Sequence, residues 1–353
     1  MRYYFRIGAT RISIDHIDHI EGLDTTSLAS GLHDFFVDKV RQVKNKVELG
    51  LRSAPGDILS ARLPSVSAAS VMQSFTRVTL AEVKRLIRSA PTKTSPLNQL
   101  PISVVKSCGR EFSAIITHMA NTSIVAGRFS STWKAGLVTP LLKKRGLDAG
   151  DFKDFRPITN LTTLSKMLER LALARLKSHI VTSPNCCPLQ SAYRAAHSTE
   201  TALVKIIDDI LTLVDSGSAV ELGLDISVAF VTVSHSNLLS RLEHDCGIEG
   251  AALLWIDSYL SNRTFFVRVG GSSSSVAESS SGLPQGSVLG PILFTAYVAP
   301  IGRLIESFGV AYHNYADDTQ LYTALTAKPD ICISLLESAH LHGGNGCGRM
   351  TCF

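Results

Sequence analysis

The chain has 353 residues, 45% of them hydrophobic and 18% charged; this provides for a large core and two or three lobes and excludes a disordered chain. A formal charge of +5 suits a nucleic-acid partner without demanding one. Seven scattered cysteines lack the spacing of an extracellular disulfide framework, which points to reduced thiols and an intracellular location, cytoplasmic, nuclear or both.

The opening residues, MRYYFRIGATRISIDHIDHI, mix Arg and Asp into apolar positions and offer no secretory signal. One helix is predicted in SLASGLHDFFVDKVRQVKNKV, where Leu28, Leu32, Phe35 or Phe36 and Val40 recur at helical spacing, and SAPGDILSARLPSVSAAS reads as a linker. In VTLAEVKRLIRSA, Thr79 and Glu82 form a capping box, and Leu80, Val83, Leu86, Ile87 and Ala90 make one apolar face. An amphipathic run from Phe112 to Val125 precedes WKAGLVTPLLKK, a short apolar strand ending in Lys143, Lys144 and Arg145. FRPITNL leads into a helix from Leu164 to His179, and Ser198 is placed to cap a helix running through Leu213.

Val220, Leu222, Leu224 and Ile226 then alternate as in a half-buried strand, with Asp225 near its end. Helices at 237–243 and 251–260 are followed by a hairpin, TFFVRVGGSSSSVAES, turning at Gly270-Gly271. From Ser279 to Gly302 there is no charge, but Pro284, Gln285, Pro291 and Pro300 make this a loop opening a buried helix and not a membrane span. In HNYADDTQLY, Asp317-Asp318 lie between two strand-like runs, which alone is ordinary turn chemistry. The tail from His340 to Phe353 is expected to be disordered; its His340, His342, Cys347 and Cys352 fall in the wrong order for a zinc knuckle. The pattern is α+β, with helices around an antiparallel three-stranded core that contains Asp225.

Asp225 at a strand end and Asp317-Asp318 at a hairpin tip form an arrangement in which distant carboxylates meet on one face of a sheet. Such a set suits two Mg²⁺ ions, with Mn²⁺ as a substitute, because these cations take hard oxygen ligands. Neighbours along an extended tip point to opposite sides, which favours Asp225 and Asp317 as bridging ligands over Asp318.

LDISVAF, GLPQGSVLGPILF and YADDTQLY, in this order, resemble the palm motifs of reverse transcriptases from LINE-like (non-long-terminal-repeat) retrotransposons. WKAGLVTPLLKK, FRPITNLTTLSKMLER and QSAYRAAHSTETAL resemble the finger motifs of the same family, and the similarity runs from about Phe75 to Leu325. The resemblance implies a lead-in at 1–75, a fingers-like region at 76–219, a palm-like catalytic region at 220–326, and a divergent tail at 327–353 with the thumb missing. It implies an RNA-directed DNA polymerase that joins deoxynucleoside triphosphates to a DNA primer 3′-hydroxyl on an RNA template, with two Mg²⁺ and no membrane partner.

Residue by residue, the resemblance gives Asp225, Asp317 and Asp318 catalytic and metal-binding roles, with Ile226 in the metal set. It places Phe230 beneath the incoming sugar, Gln285 and Gly286 in the loop packed on the nucleotide, and Arg156 near the triphosphate or template. Lys143, Lys144 and Arg194 would neutralise nucleic-acid phosphates. Plainer readings stand beside these: a core ring for Phe230, a simple turn at Gln285-Gly286, an ion pair of Arg156 with Glu169 or Asp154, and a solvated surface for the basic residues. AFVTVSH departs from the family's AFDTVDH at Val231 and Ser234. That departure supports an alternative, a truncated or decayed inactive copy that at most binds nucleic acid or acts as an interaction protein.

Overall fold

The computed structural model describes residues 24–53, 71–92, 95–98, 100–144, 147, 150–215, 218–225, 230–307, 309–325 and 351–352, with Asp225 described through its backbone register. The predicted linker at 54–70, Arg145, Ile226 and the tail histidines lie outside these residues.

The apolar spacing read in the first helix places Leu28, Leu32 and Phe36 on the buried face of α1 (Thr25–Ser53). That face packs on a sheet made of β1 (Ala135–Leu142), β2 (Phe155–Asn160) and β4 (Arg263–Val269), against Val138, Phe155, Val267 and Val269. β1 and β2 are antiparallel, with Leu142 opposite Phe155, and the Lys143 amide donates to the Asp154 carbonyl at 2.9 Å to close the turn between them. β2 was expected only as the lead into a helix. β5 (Ser272–Ser273) and β6 (Ala277–Ser279) both pair with β4, and the turn falls at Gly270-Gly271 as predicted. β4 also lies parallel to β1, from Ala135 opposite Thr264 to Val138 opposite Val267. This first sheet therefore draws on both halves of the chain.

The second sheet has the order β7 (Ala311–Tyr315), β8 (Asp318–Leu325), β3 (Ser218–Asp225) and β9 (Thr351–Cys352), all antiparallel. It contains the expected three-stranded core around Asp225. Thr351 and Cys352, expected in a disordered tail, pair with Gly223 and Leu222.

Helices fill the space between. α2 (Leu80–Ser89) starts at the predicted capping box, with the Glu82 amide donating to Thr79 Oγ1 and the Thr79 amide donating to Glu82 Oε2. It buries Val83 and Ile87, while Leu80, in the first turn, stays exposed. After the short α3 (Ile102–Ser107), α4 (Gly109–Val125), α5 (Thr163–Thr182), α7 (His235–His244), α8 (Gly250–Leu260) and α9 (Gly290–Ser307) share the main core with α2. At its centre Phe129 meets Trp255 and Tyr259 edge-on at 5.3 and 5.2 Å, and the Trp255 indole donates to Ser123 Oγ at 2.9 Å. Rings that bury their area and also pair their polar ends each contribute on the order of 2–3 kcal/mol. α6 (Thr199–Asp215), capped by Ser198 as predicted, lies against the second sheet. Among the described residues, no helix is long and apolar enough to cross a membrane.

Candidate active site

The two aspartates of the YADD stretch occupy different structural positions. Tyr315 pairs with Asp318, so Ala316 and Asp317 alone form the turn between β7 and β8, with Ala316 in the left-handed region at φ +59°. Asp318 is the first residue of β8 and is paired on its other side with Asp225 of β3. Asp317 is half-buried and Asp318 is exposed. The expectation that Asp318 matters less rested on alternation along a continuous strand. The turn interrupts that alternation, and the register makes Asp318 the cross-strand partner of Asp225.

The tip is fixed by a segment that precedes α6. The Asn314 amide donates to the Leu189 carbonyl at 3.0 Å and the Ser191 amide to the Asn314 carbonyl at 2.9 Å, so residues 189–191 lie parallel to β7 at its outer edge. Gln190, 1% exposed, donates from Nε2 to the Ala316 carbonyl at 3.0 Å and accepts from the Ala316 amide at 2.9 Å. Ser191 Oγ lies 2.9 Å from His313 Nε2, and burial holds the His313 imidazole below its ordinary pKa. Tyr193, also at positive φ, has its phenol pushed up to about 12 by burial and by the nearby Asp317 carboxylate. Arg194, expected on nucleic-acid phosphates, donates from Nη1 to the carbonyls of Pro188, at 2.6 Å, and Gln190. Nothing within QSAYR singles out Gln190, because its partner is 126 residues away and no local spacing marks it.

The loop at Gln285 is built with equal economy. Glu169 on α5 is fully buried; its Oε2 accepts the amides of Val288 at 2.7 Å and Leu289 at 3.1 Å and the Tyr259 hydroxyl at 3.2 Å, while Oε1 accepts from Ser165 Oγ. Burial raises its pKa against the opposing effect of those bonds and of Arg263. The Thr159 amide on β2 donates to the Gln285 carbonyl at 2.7 Å. Gly286 has φ +121°, and a Cβ there would lie 2.5 Å from the Thr159 carbonyl oxygen. The close approach that demands this glycine is thus to the fingers backbone.

Phe230 is half-buried and stacks on Phe294 with centroids 4.6 Å apart and planes at 18°, so it packs against the core while keeping part of its surface open. Ser234, one of the two departures from the family pattern, caps α7 by accepting the Asn237 amide at 3.3 Å. Arg156 on β2 lies opposite Leu141 of β1, and Lys143 and Lys144 lie just beyond the end of β1. A cavity of about 350 Å³ between α1 and the first sheet is lined in part by Gln285, Lys44, Lys134 and Arg263. Among the described residues, Asp317, Asp318 and Phe230 do not line it.

Among the described residues, no three His, Cys, Asp or Glu side chains come together to hold a metal ion. The backbone nevertheless places Asp225 and Asp318 side by side next to Asp317, and carboxylate oxygens are the donor type that Mg²⁺ and Mn²⁺ take.

An antiparallel sheet with aspartates where three strands meet, joined to a mixed sheet with basic residues at its rim, defines a polymerase-type fingers and palm. Residues 142–340 match the family described as reverse transcriptase (RNA-dependent DNA polymerase), and the chain belongs to that family. The match reaches past Leu325, where the motif resemblance was expected to end. Over 257 residues, 70% of the chain, it is 32% identical to the RNA-directed DNA polymerase from mobile element jockey of Drosophila melanogaster, covering 27% of that protein. It is 31% identical over 219 residues, 62% of the chain, to the probable RNA-directed DNA polymerase from transposon X-element of the same species, covering 24% of it. It is 29% identical over 175 residues, 49% of the chain, to the Pol polyprotein from type-1 retrotransposable element R2 of Popillia japonica, covering 24% of that protein. The chain carries a reverse-transcriptase domain related to those of LINE-like retrotransposons and spans about a quarter of the length of these curated relatives.

Proposed function

We propose that this chain is the fingers and palm of an RNA-directed DNA polymerase that acts inside the cell on an RNA template, a DNA primer and deoxynucleoside triphosphates. The observation that carries this reading is the register of the second sheet, which sets Asp318 opposite Asp225 with Asp317 one residue away at the turn. Asp225, Asp317 and Asp318, with Ile226 beside them, would hold two Mg²⁺ or Mn²⁺ ions. Bound there, the cations supply positive charge to the primer 3′-hydroxyl and the leaving pyrophosphate.

The chain's own groups orient the substrates. Phe230, braced by Phe294, forms a wall beneath the sugar that disfavours a 2′-hydroxyl. Gln285 and Gly286 pack on the nucleotide from a loop that Glu169 and Thr159 hold in place. Arg156, Lys143, Lys144 and Arg194 balance phosphate charge along the fingers, although Arg194 also braces the Gln190 segment. In this assignment residues 76–219 are the core of the fingers, 220–326 contain the palm, and β4 to β6 return to complete the fingers sheet.

An inactive copy is the second reading, and Val231 favours it, since an apolar side chain replaces an acid beside the active-site strand. Ser234 does not, because serine and aspartate cap a helix about equally well. Primer extension on an RNA template with and without Mg²⁺ separates the two. The polymerase reading expects metal-dependent extension that Asp317→Asn abolishes; a folded chain that binds the template-primer and never extends it would be the inactive copy.

A further inference from the structure

We infer that Gln190 is a positioning residue for the aspartate site, a clamp that sets the tip of the β7–β8 turn; this rests on the metal-binding reading of Asp317 and Asp318. Ala316 sits at φ +59°, a conformation that is unfavourable for a residue with a Cβ, so something must hold it there. In a two-residue turn the amide and carbonyl of the first turn residue lie outside the strand ladder. Here one side chain takes both: Gln190 Oε1 accepts the Ala316 amide at 2.9 Å while Nε2 donates to the Ala316 carbonyl at 3.0 Å. A primary amide is the side-chain group that offers a neutral donor and acceptor in one plane. Glutamate would oppose the carbonyl, and an aliphatic residue would leave both backbone groups without this partner.

The clamp is itself anchored. Oε1 also accepts the Ala192 amide at 3.1 Å, the neighbours Leu189 and Ser191 bond to Asn314, and Gln190 is 1% exposed. Three donors and acceptors converging on one amide fix its orientation, since a flipped amide would face two N–H groups with its own NH₂. Asp317 and Asp318 are the next two residues after Ala316. Their height relative to Asp225 is therefore set by where Gln190 holds Ala316, and the segment that contains Gln190 is itself bonded to the outer edge of β7 through Asn314.

The test is made on the full chain with Gln190→Ala and Gln190→Glu. Gln190→Ala is expected to speed hydrogen exchange of the Ala316 amide about tenfold while leaving the Leu321 amide unchanged. It should weaken Mn²⁺ binding, read by electron paramagnetic resonance, on the order of tenfold, as loss of a group that orients metal ligands does. Gln190→Glu keeps the acceptor, so it should protect the Ala316 amide better than alanine and still weaken Mn²⁺ binding; it carries the comparison if the alanine variant does not fold. Unchanged Ala316 exchange would remove the clamp, and faster exchange with unaltered Mn²⁺ affinity would reduce Gln190 to a structural residue. Asp317→Asn, measured in parallel, separates the two ideas: if it leaves Mn²⁺ binding intact, the metal reading fails, while Ala316 exchange still judges the clamp.

Discussion

In the fingers sheet, α1 lays Leu28, Leu32 and Phe36 over Val138, Phe155 and Val267. At the tip of the palm, by contrast, the fixing contacts are hydrogen bonds from Gln190 and Ser191 to Ala316, His313 and Asn314. Apolar burial is strong but non-directional, so it stabilises a sheet without deciding where one backbone atom sits. Hydrogen bonds add little net stability each but fail steeply with distance and angle, so they decide position. On the proposed function, a surface that would grip phosphates along its rim needs the first kind of support, and a turn that would deliver two carboxylates to a third needs the second.

Glu169 tests this contrast with the largest expected effect, because it joins the main core to the Gln285 loop. Glu169→Ala leaves the donors of Val288, Leu289, Tyr259 and Ser165 without this acceptor. A loss of about 3–5 kcal/mol in urea unfolding is expected, with both sheets affected. A loss under about 1 kcal/mol would mean that water replaces the carboxylate there.

Leu32→Ala sharpens the contrast from the fingers side. Leu32 has no exposed surface in the α1–sheet core, and its truncation should cost about 2–4 kcal/mol. Hydrogen exchange should rise across β1 and β4 while the Ala316 amide stays protected. If Ala316 loosens equally, the two regions share one cooperative unit and the contrast fails.

A smaller effect comes from pH at the palm tip. Burial lowers the His313 pKa from its ordinary 6.5, opposed by Asp209 and assisted by Lys205 and His197. The unfolded chain therefore takes up this proton first as pH falls, and stability is full above about 6.5 and declines through the window below it. His235, also lowered by burial, adds a slope of the same sign. His313→Gln should flatten part of this dependence in urea titrations between pH 7 and 5; an unchanged slope would assign it to His235 and other groups.

The sequence disclosed best what is decided locally. The Thr79–Glu82 capping box, the Ser198 cap, the α1 stripe, the strand ending in Asp225 and the turn at Gly270-Gly271 all depend on residues a few positions apart, and all appear where expected. The parallel pairing of β4 with β1 was not legible, because nothing local distinguishes a hairpin that joins its neighbours from one that crosses to a distant strand. The contacts that Glu169 and Gln190 make stayed hidden for the same reason, since their partners lie 119 and 126 residues on. The register at Asp318 was not legible either: the period of two was counted through Ala316 and Asp317, which form the turn between β7 and β8.

The proposed joint role of Asp225 and Asp318 is tested most directly by single-nucleotide extension of a DNA primer on an RNA template, comparing the unaltered chain with Asp225→Asn and Asp318→Asn at saturating Mg²⁺. Cross-strand partners serving one site should both lose extension, each by about a hundredfold or more. An Asp318→Asn chain that extends primers at the unaltered rate while Asp225→Asn is inactive would show that the register does not make them one site.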